Sequence, residues 1–177
     1  QNELNRFKGD KKLIFIQSEA SNGARSMPDS FVASLIKRLS KLEGYRLVTS
    51  SNPPKGLTNF ERKQIINLHE FTKGNIDRYL SLIALSDCVI SVDTLALHAA
   101  MGCNKPGVGL FSLSEPSIRL KYSPKIKGFL IPDAQSLPYW GKHKSDDSWS
   151  DHTKNYERSW MQVPLEALIE HILGNAA

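Results

Sequence analysis

Cysteine is nearly absent from this chain, with only Cys88 and Cys103 among 177 residues. One lies in an apolar run and the other in a turn. With no short spacing between them they suit neither a zinc site nor a disulfide framework, so a reducing compartment, the cytoplasm, is expected. Long hydrophobic runs are missing too: without about 18 consecutive apolar residues, nothing reads as a membrane span. The chain opens on Gln1 and a polar segment with no initiator Met and no signal peptide, and the expectation is an excised part of a longer protein. Signatures of several enzyme classes are also lacking. No G-x-S-x-G elbow or H-E-x-x-H helix occurs, which leaves hydrolase chemistry without an anchor. The loop Ser18-Glu19-Ala20-Ser21-Asn22-Gly23 is not the G-x-G-x-x-G fingerprint of nicotinamide enzymes, so a Rossmann-type epimerase is disfavoured. His143, Asp146, Asp147, Asp151 and His152 cluster without EF-hand or zinc spacing and read as a solvated loop, so no metal is expected. The net charge of +5, from 23 basic against 18 acidic residues, favours anionic partners. Its scattered basic residues carry no aromatic-basic signature, and nucleic acid is not among the partners expected.

What is present is an alternation of strand and helix patterns within one domain spanning the whole chain, 40% of it hydrophobic. That pattern predicts an α/β fold, a Rossmann-like doubly wound parallel sheet with helices on both faces. Strands are expected at residues 13–17, 45–49, 65–68, 88–92, up to Phe111, and at 128–131. A helix opens at Pro28 and Asp29 and runs to about Leu42, with Phe31, Leu35, Ile36 and Leu39 at helical spacing and Gly44 as its stop. A short polar helix is expected at 59–63. Asn75 caps another, with Ile76, Leu80 and Ile83 as its apolar stripe. The last helix starts at Pro164 and turns Leu165, Leu168, Ile169 and Ile172 inward. Residues 112–123 read as a loop. Residues 134–162, aromatic and charged without periodicity, read as a surface insertion.

Residues 87–111 carry the most chemistry. A buried strand ends at Asp93 and Thr94, where the next helix begins. There an open α/β sheet binds ligands against unpaired helix N–H groups, and phosphate is the natural guest. Plainer roles stay open at this level. Asp93 and Thr94 can simply cap the helix, His98 can be a packed histidine, and Arg25 a solvated loop residue.

The segment DTLALHAAMGCNKPGVGLF resembles the Asp-Thr-Gly-x-x-His-x-x-Ala segment of the ADP-heptose–lipopolysaccharide heptosyltransferase family, glycosyltransferase family 9. ARSMPDSFVASLIKRL is similar to the family's Lys-x-Trp-Pro stretch and following helix, NIDRYLSLIALSDCVISVDT to its lead into the motif, and VPLEALIEHIL to its final helix. The resemblance implies the C-terminal, donor-binding half of a GT-B glycosyltransferase, with the N-terminal acceptor domain absent. It implies a donor such as ADP-heptose, a glycan or lipopolysaccharide acceptor, peripheral contact with the inner membrane face, and transfer without cofactor or metal. Asp93, Thr94, Leu95, Ala96 and His98 would border the donor diphosphate, with Ser21 and Arg25 from the facing loop. Arg25 stands at the position of a phosphate-binding Lys, Ala20 where relatives have a hydroxyl, and Leu95 where the family has Gly. Gly74 falls near a position that packs on the base, and Glu61 is the nearest acid for the ribose. The general base belongs to the other half, so no catalytic residue is named here. A non-catalytic nucleotide-binding or scaffold module that kept the fold is the alternative, favoured by Leu95, Ala20 and Gly74.

Overall fold

The computed structural model describes residues 9–137, 140 and 153–176. Among them six strands form one sheet: β1 (Lys12–Gln17), β2 (Tyr45–Thr49), β3 (Ile65–Asn67), β4 (Cys88–Val92), β5 (Gly107–Phe111) and β6 (Ile126–Leu130). Their order is β3-β2-β1-β4-β5-β6 and every pairing is parallel. The chain thus begins in the middle of the sheet, winds to one edge, and returns to β4 beside β1 before winding to the other edge. That reversal opens a crevice above the carboxyl ends of β1 and β4, the place where such sheets take ligands.

The helices are α1 (Asp29–Leu39), α2 (Asn59–Lys63), α3 (His69–Thr72), α4 (Ile76–Leu85), α5 (Leu95–Gly102), α6 (Pro116–Leu120), α7 (Thr153–Met161) and α8 (Leu165–Ala176). Successive strand side chains point to opposite faces, and β1 shows the consequence. Ile14 and Ile16 pack with Phe31, Leu35 and Leu168 from α1 and α8, whereas Leu13 and Phe15 pack with Leu82, Ile83 and Leu97 from α4 and α5. β4 and β5 are buried at every position, as parallel strands covered on both faces must be. Burial also pushes the Cys88 thiol up to about 12, while Cys103 is exposed. No helix among the described residues is long and apolar enough to cross a membrane.

The expected strands and the main helices are present, with four differences. α4 turns Ile83 inward as expected but not Ile76 and Leu80; both are exposed, and Leu82 is buried in their stead. The reason is Tyr79, whose ring meets Phe15 edge-on at 5.9 Å while its hydroxyl donates to Gln17 Oε1 at 3.0 Å. A tyrosine with a partner for its polar tip replaces the leucine in the inward stripe. α6 occupies the span read as a loop, and α3 was likewise unread. The third strand stops at Asn67 and the last begins at Ile126.

The fourth difference corrects the surface insertion expected at 134–162. Its C-terminal part is α7, whose Tyr156 and Trp160 are buried core residues. Trp160 packs on Phe31 of α1 with ring centroids 5.1 Å apart. Tyr156 and Trp160 sit one helical turn apart on one face, and the charged residues between them conceal that spacing. The His143, Asp146, Asp147, Asp151 and His152 cluster lies outside the described residues.

Trp160→Ala should therefore cost about 3–5 kcal/mol in urea unfolding, as for a buried aromatic. Met161→Ala, at an exposed neighbouring position, should change stability by no more than about 0.5 kcal/mol. Equal, small losses from both would return this segment to the surface.

Candidate functional site

The first wall of the crevice is the connection from β1 to α1. Gln17 ends β1: its Nε2 donates to Glu19 O at 2.7 Å, and its Oε1 accepts from Ser50 Oγ at 2.7 Å and from the Tyr79 hydroxyl. Burial raises the Tyr79 hydroxyl to about 12, so it remains a donor there. The connection closes on itself through Met27 N donating to Ser18 O and Ala20 N donating to Ser26 Oγ, at 2.8 and 2.9 Å. Within it a 3₁₀ turn, Gly23–Arg25, is capped by Asn22 Oδ1, which accepts from Ala24 N. That turn presents Arg25. Its Nη1 donates to Asp93 O at 3.2 Å and its Nη2 to Ser21 Oγ at 3.0 Å, so one guanidinium spans both sides of the crevice. Its Nε is buried with no hydrogen-bond partner among the described residues.

The second wall is the turn from β4 into α5. Thr94 takes the N-cap position in extended conformation, yet its side chain does not cap the helix. The hydroxyl lies 3.1 Å from Ser91 Oγ instead. The first backbone bonds of the helix run from Leu97 N and His98 N to Thr94 O. The N–H groups of Leu95 and Ala96 precede any intrahelical acceptor, and together with the helix dipole they make a place for negative charge.

Asp93 does not cap the helix either. Its carboxylate, only 12% exposed, lies 3.6 Å from His98 Nε2 and 3.5 Å from Arg119 Nε. The acid is thus engaged by two cationic or potentially cationic partners and held off the helix start, where its charge would otherwise compete with an anion. His98 is exposed and faces Asp93, so it is not a buried packing histidine.

The two walls enclose a cleft of about 450 Å³ lined by Gln17, Glu19, Ala20, Ser21, Arg25, Thr94 and Leu95. Four of the residues singled out from the sequence, Ser21, Arg25, Thr94 and Leu95, therefore meet at one cleft. Ala96 is buried and offers only its backbone, while Asp93 and His98 do not line the cleft and pair with each other and with Arg119 beside it. Leu95 is 53% exposed, and its φ is not positive: among the described residues other than glycine only Asn104 and Asp133 are left-handed. The side chain standing in place of Gly is therefore accommodated without backbone strain.

Glu61 is not brought into this cleft. Its carboxylate closes a capping box at the start of α2, accepting from Thr58 N at 2.7 Å, and that backbone hydrogen bond holds its pKa below the usual carboxylate range. Gly74 lies before α4 on the same edge of the sheet, at φ +67 with open space where a Cβ would be, and offers no side chain to pack on a base. Arg119, Glu19 and Tyr79 were missed by sequence reasoning. For Arg119 the available signal was Pro116 at the start of α6, a favoured first helical position. Among the described residues no three His, Cys, Asp or Glu side chains are grouped to hold a metal ion.

Comparisons with known proteins bear on the family and the fold. The family model for Glycosyltransferase family 9 (heptosyltransferase) matches residues 1–150. Among solved structures, E. coli ADP-heptose lps heptosyltransferase II is similar at TM-score 0.72 and 20% identity, covering 99% of this chain and 50% of its own. The glycosyl transferase family 9 protein from Veillonella parvula follows at TM-score 0.65 and 15% identity, with the same coverage of 99% and 50%. E. coli heptosyltransferase WaaC, solved with ADP, has TM-score 0.53 and 15% identity over 85% of this chain and 45% of its own. The chain thus spans about half the length of the solved relatives it matches. A comparison with curated proteins found no match.

Because Leu95 is exposed at the first helical position, Leu95→Gly should lower stability by no more than about 1 kcal/mol, the cost of glycine in a helix. Leu97→Ala, at a fully buried position two residues on, should cost about 2–5 kcal/mol. Thermal unfolding of the two variants separates an open cleft from one plugged by Leu95, for which both losses would be large.

Proposed function

The chain belongs to glycosyltransferase family 9, and from that premise we propose that it is the donor-binding domain of a heptosyltransferase-like GT-B enzyme. In this reading the complete enzyme transfers a sugar from a nucleoside diphosphate sugar, with ADP-heptose as the leading candidate, to a glycan or lipopolysaccharide acceptor. The acceptor and the general base are handled by the part of the relatives that this chain does not span. The work is done in the cytoplasm, at the inner membrane face where such an acceptor is presented.

The observation that carries the reading is the uncapped start of α5 opposite Arg25. Thr94 and Asp93 both have side chains able to cap that helix, and both are turned to other partners. The plain capping role that the sequence left open is therefore not the one they play. The leading N–H groups of Leu95 and Ala96 are left for a ligand, across a cleft from a guanidinium.

The chemistry follows from charge. As the bond between the anomeric carbon and the diphosphate oxygen breaks, the electron pair leaves with the oxygen and negative charge grows on the diphosphate. Fixed N–H donors and Arg25 stabilise that charge more in the transition state than in the ground state, which is what lowers a barrier. The donors need no reorganisation at the moment of reaction because the strand end and the helix already fix them. In this reading the transfer requires no metal. Asp93 pairs with Arg119 and His98 beside the helix start, and Ser21 accepts from the Arg25 fork at the cleft. The second reading, a binding module that has lost turnover, keeps the same ligand site. The exposed Glu19 in the cleft favours it, since its carboxylate opposes an anionic guest.

A nucleoside diphosphate should raise the melting temperature of the protein, by the equivalent of about 2.7 kcal/mol at a hundredfold excess over Kd, and the free nucleoside far less. Equal shifts from both would contradict a phosphate-centred site. Arg25→Ala should weaken diphosphate binding in calorimetry by about 1.5–3 kcal/mol, the range for hydrogen bonds to charged groups. Its effect on unliganded stability should stay within about 1 kcal/mol, and unchanged affinity would remove Arg25 from the site. Transfer by the complete protein with its acceptor distinguishes enzyme from binding module.

A further inference from the structure

We propose that Tyr156, far from the cleft in sequence, is a positioning residue for Arg25: its buried hydroxyl pins the turn that sets where the guanidinium points. The inference rests on the reading of Arg25 as a diphosphate ligand and adds a part of the chain that neither motif nor cleft lining includes. The Tyr156 hydroxyl lies between the carbonyls on either side of Arg25, 3.0 Å from Ala24 O and 2.5 Å from Ser26 O, and shares its one proton between them. Ser112, just beyond β5, adds a second donor to the same buried carbonyl, its Oγ 2.6 Å from Ala24 O.

Why such pins are needed follows from the turn itself. A single 3₁₀ turn has weak hydrogen-bond geometry and little cooperativity. Here the two backbone bonds of the turn are Arg25 N to Asn22 O and Ser26 N to Gly23 O, both at 3.0 Å, helped locally by the Asn22 Oδ1 cap on Ala24 N and by Ala20 N donating to Ser26 Oγ. Local structure alone would let it rock, and Arg25 with it. A guanidinium that must reach Asp93 O and Ser21 Oγ at once while facing a diphosphate tolerates little displacement, because its planar fork aims several donors together. The carbonyl of Ala24 is a natural anchor, since it is buried and must be paired in any case.

The anchor is itself rigid. Tyr156 lies edge-on to Trp160 with centroids 5.9 Å apart, and Trp160 packs on Phe31 of α1, the helix that the turn leads into. Glu157 of α7 also accepts from Ser30 Oγ at the start of α1. Burial raises the pKa of the Tyr156 hydroxyl, so it stays a donor throughout the working range. α7 is thus fastened to α1, and its tyrosine reaches back over the turn.

Tyr156→Phe removes one oxygen and keeps the ring, and two measurements on the complete protein test its role. Amide hydrogen exchange at Arg25 and Ser26 should rise about tenfold while β1 and α5 keep their protection, the signature of local opening. ADP affinity should fall about three- to tenfold in the wild-type background and not at all in the Arg25→Ala background, as required of a residue acting only through Arg25. Should Tyr156→Phe not fold, Ser112→Ala removes the second donor to the same carbonyl and is read in the same way. Unchanged exchange, or an affinity loss that persists without Arg25, overturns the positioning role while leaving Arg25 as a ligand. If Arg25→Ala itself leaves ADP affinity unchanged, the diphosphate reading fails first and Tyr156 loses its part in it.

Discussion

At the start of α5 the Thr94 hydroxyl turns back to Ser91 rather than forward to the helix. The N–H groups of the first turn must then be satisfied by water or by a guest. Their position is set by deeper constraints. β4 is buried at all five positions and flanked by β1 and β5, so the point at which its chain emerges cannot drift. Gly107 shows how closely those strands approach, since a Cβ there would lie 2.2 Å from Val89 O. The crossover between β1 and β4 places the opposing connection directly across from this helix start. Donors that face a growing charge act best when already fixed, and here the sheet fixes them.

Electrostatic balance around the cleft has a division of labour. Arg25 faces the opening, whereas Arg119 and His98 sit behind with Asp93. Asp93 would repel a phosphate if its carboxylate pointed outward. Paired inward, it supplies its backbone carbonyl to Arg25 and leaves the positive end of the helix unopposed. Glu19 is the exception, an exposed carboxylate on the lining. It imposes a cost on any polyanion and narrows the guests to those whose charge is seated deep, toward α5.

Much of this was legible in the sequence because the central strands are continuous apolar runs. The bounds of β2, β4 and α2 coincide with those expected. The end of β4 is also where the resemblance to the heptosyltransferase segment is densest, so Thr94 and Leu95 were found together with Arg25 and Ser21. What was not legible had physical causes. α6 spans five residues, too few to show a period, and Arg119 was hidden with it. In α7 the buried pair Tyr156 and Trp160 is diluted by charged neighbours that face outward. Glu61 was an acid in the right stretch of sequence, but its carboxylate is committed to the helix it begins. The pattern Thr58-Asn59-Phe60-Glu61 is a capping box, so the signal for that role was present in the sequence and went unused.

The pins on Ala24 join residues 88 and 132 positions apart in the chain. During synthesis β1 and its connection leave the ribosome early, yet the partners that hold the turn arrive only after most of the domain has been made. Closing loops of that length costs entropy that only docking of the later segments can repay. The order of manufacture therefore differs from the order of assembly at this site: a loop translated before most of these strands and helices is set only after the later ones have docked. A polypeptide halted before α7 would carry Arg25 without the fixture that holds its turn. The final form of the cleft would then be conferred late, as a mark that the domain has been finished.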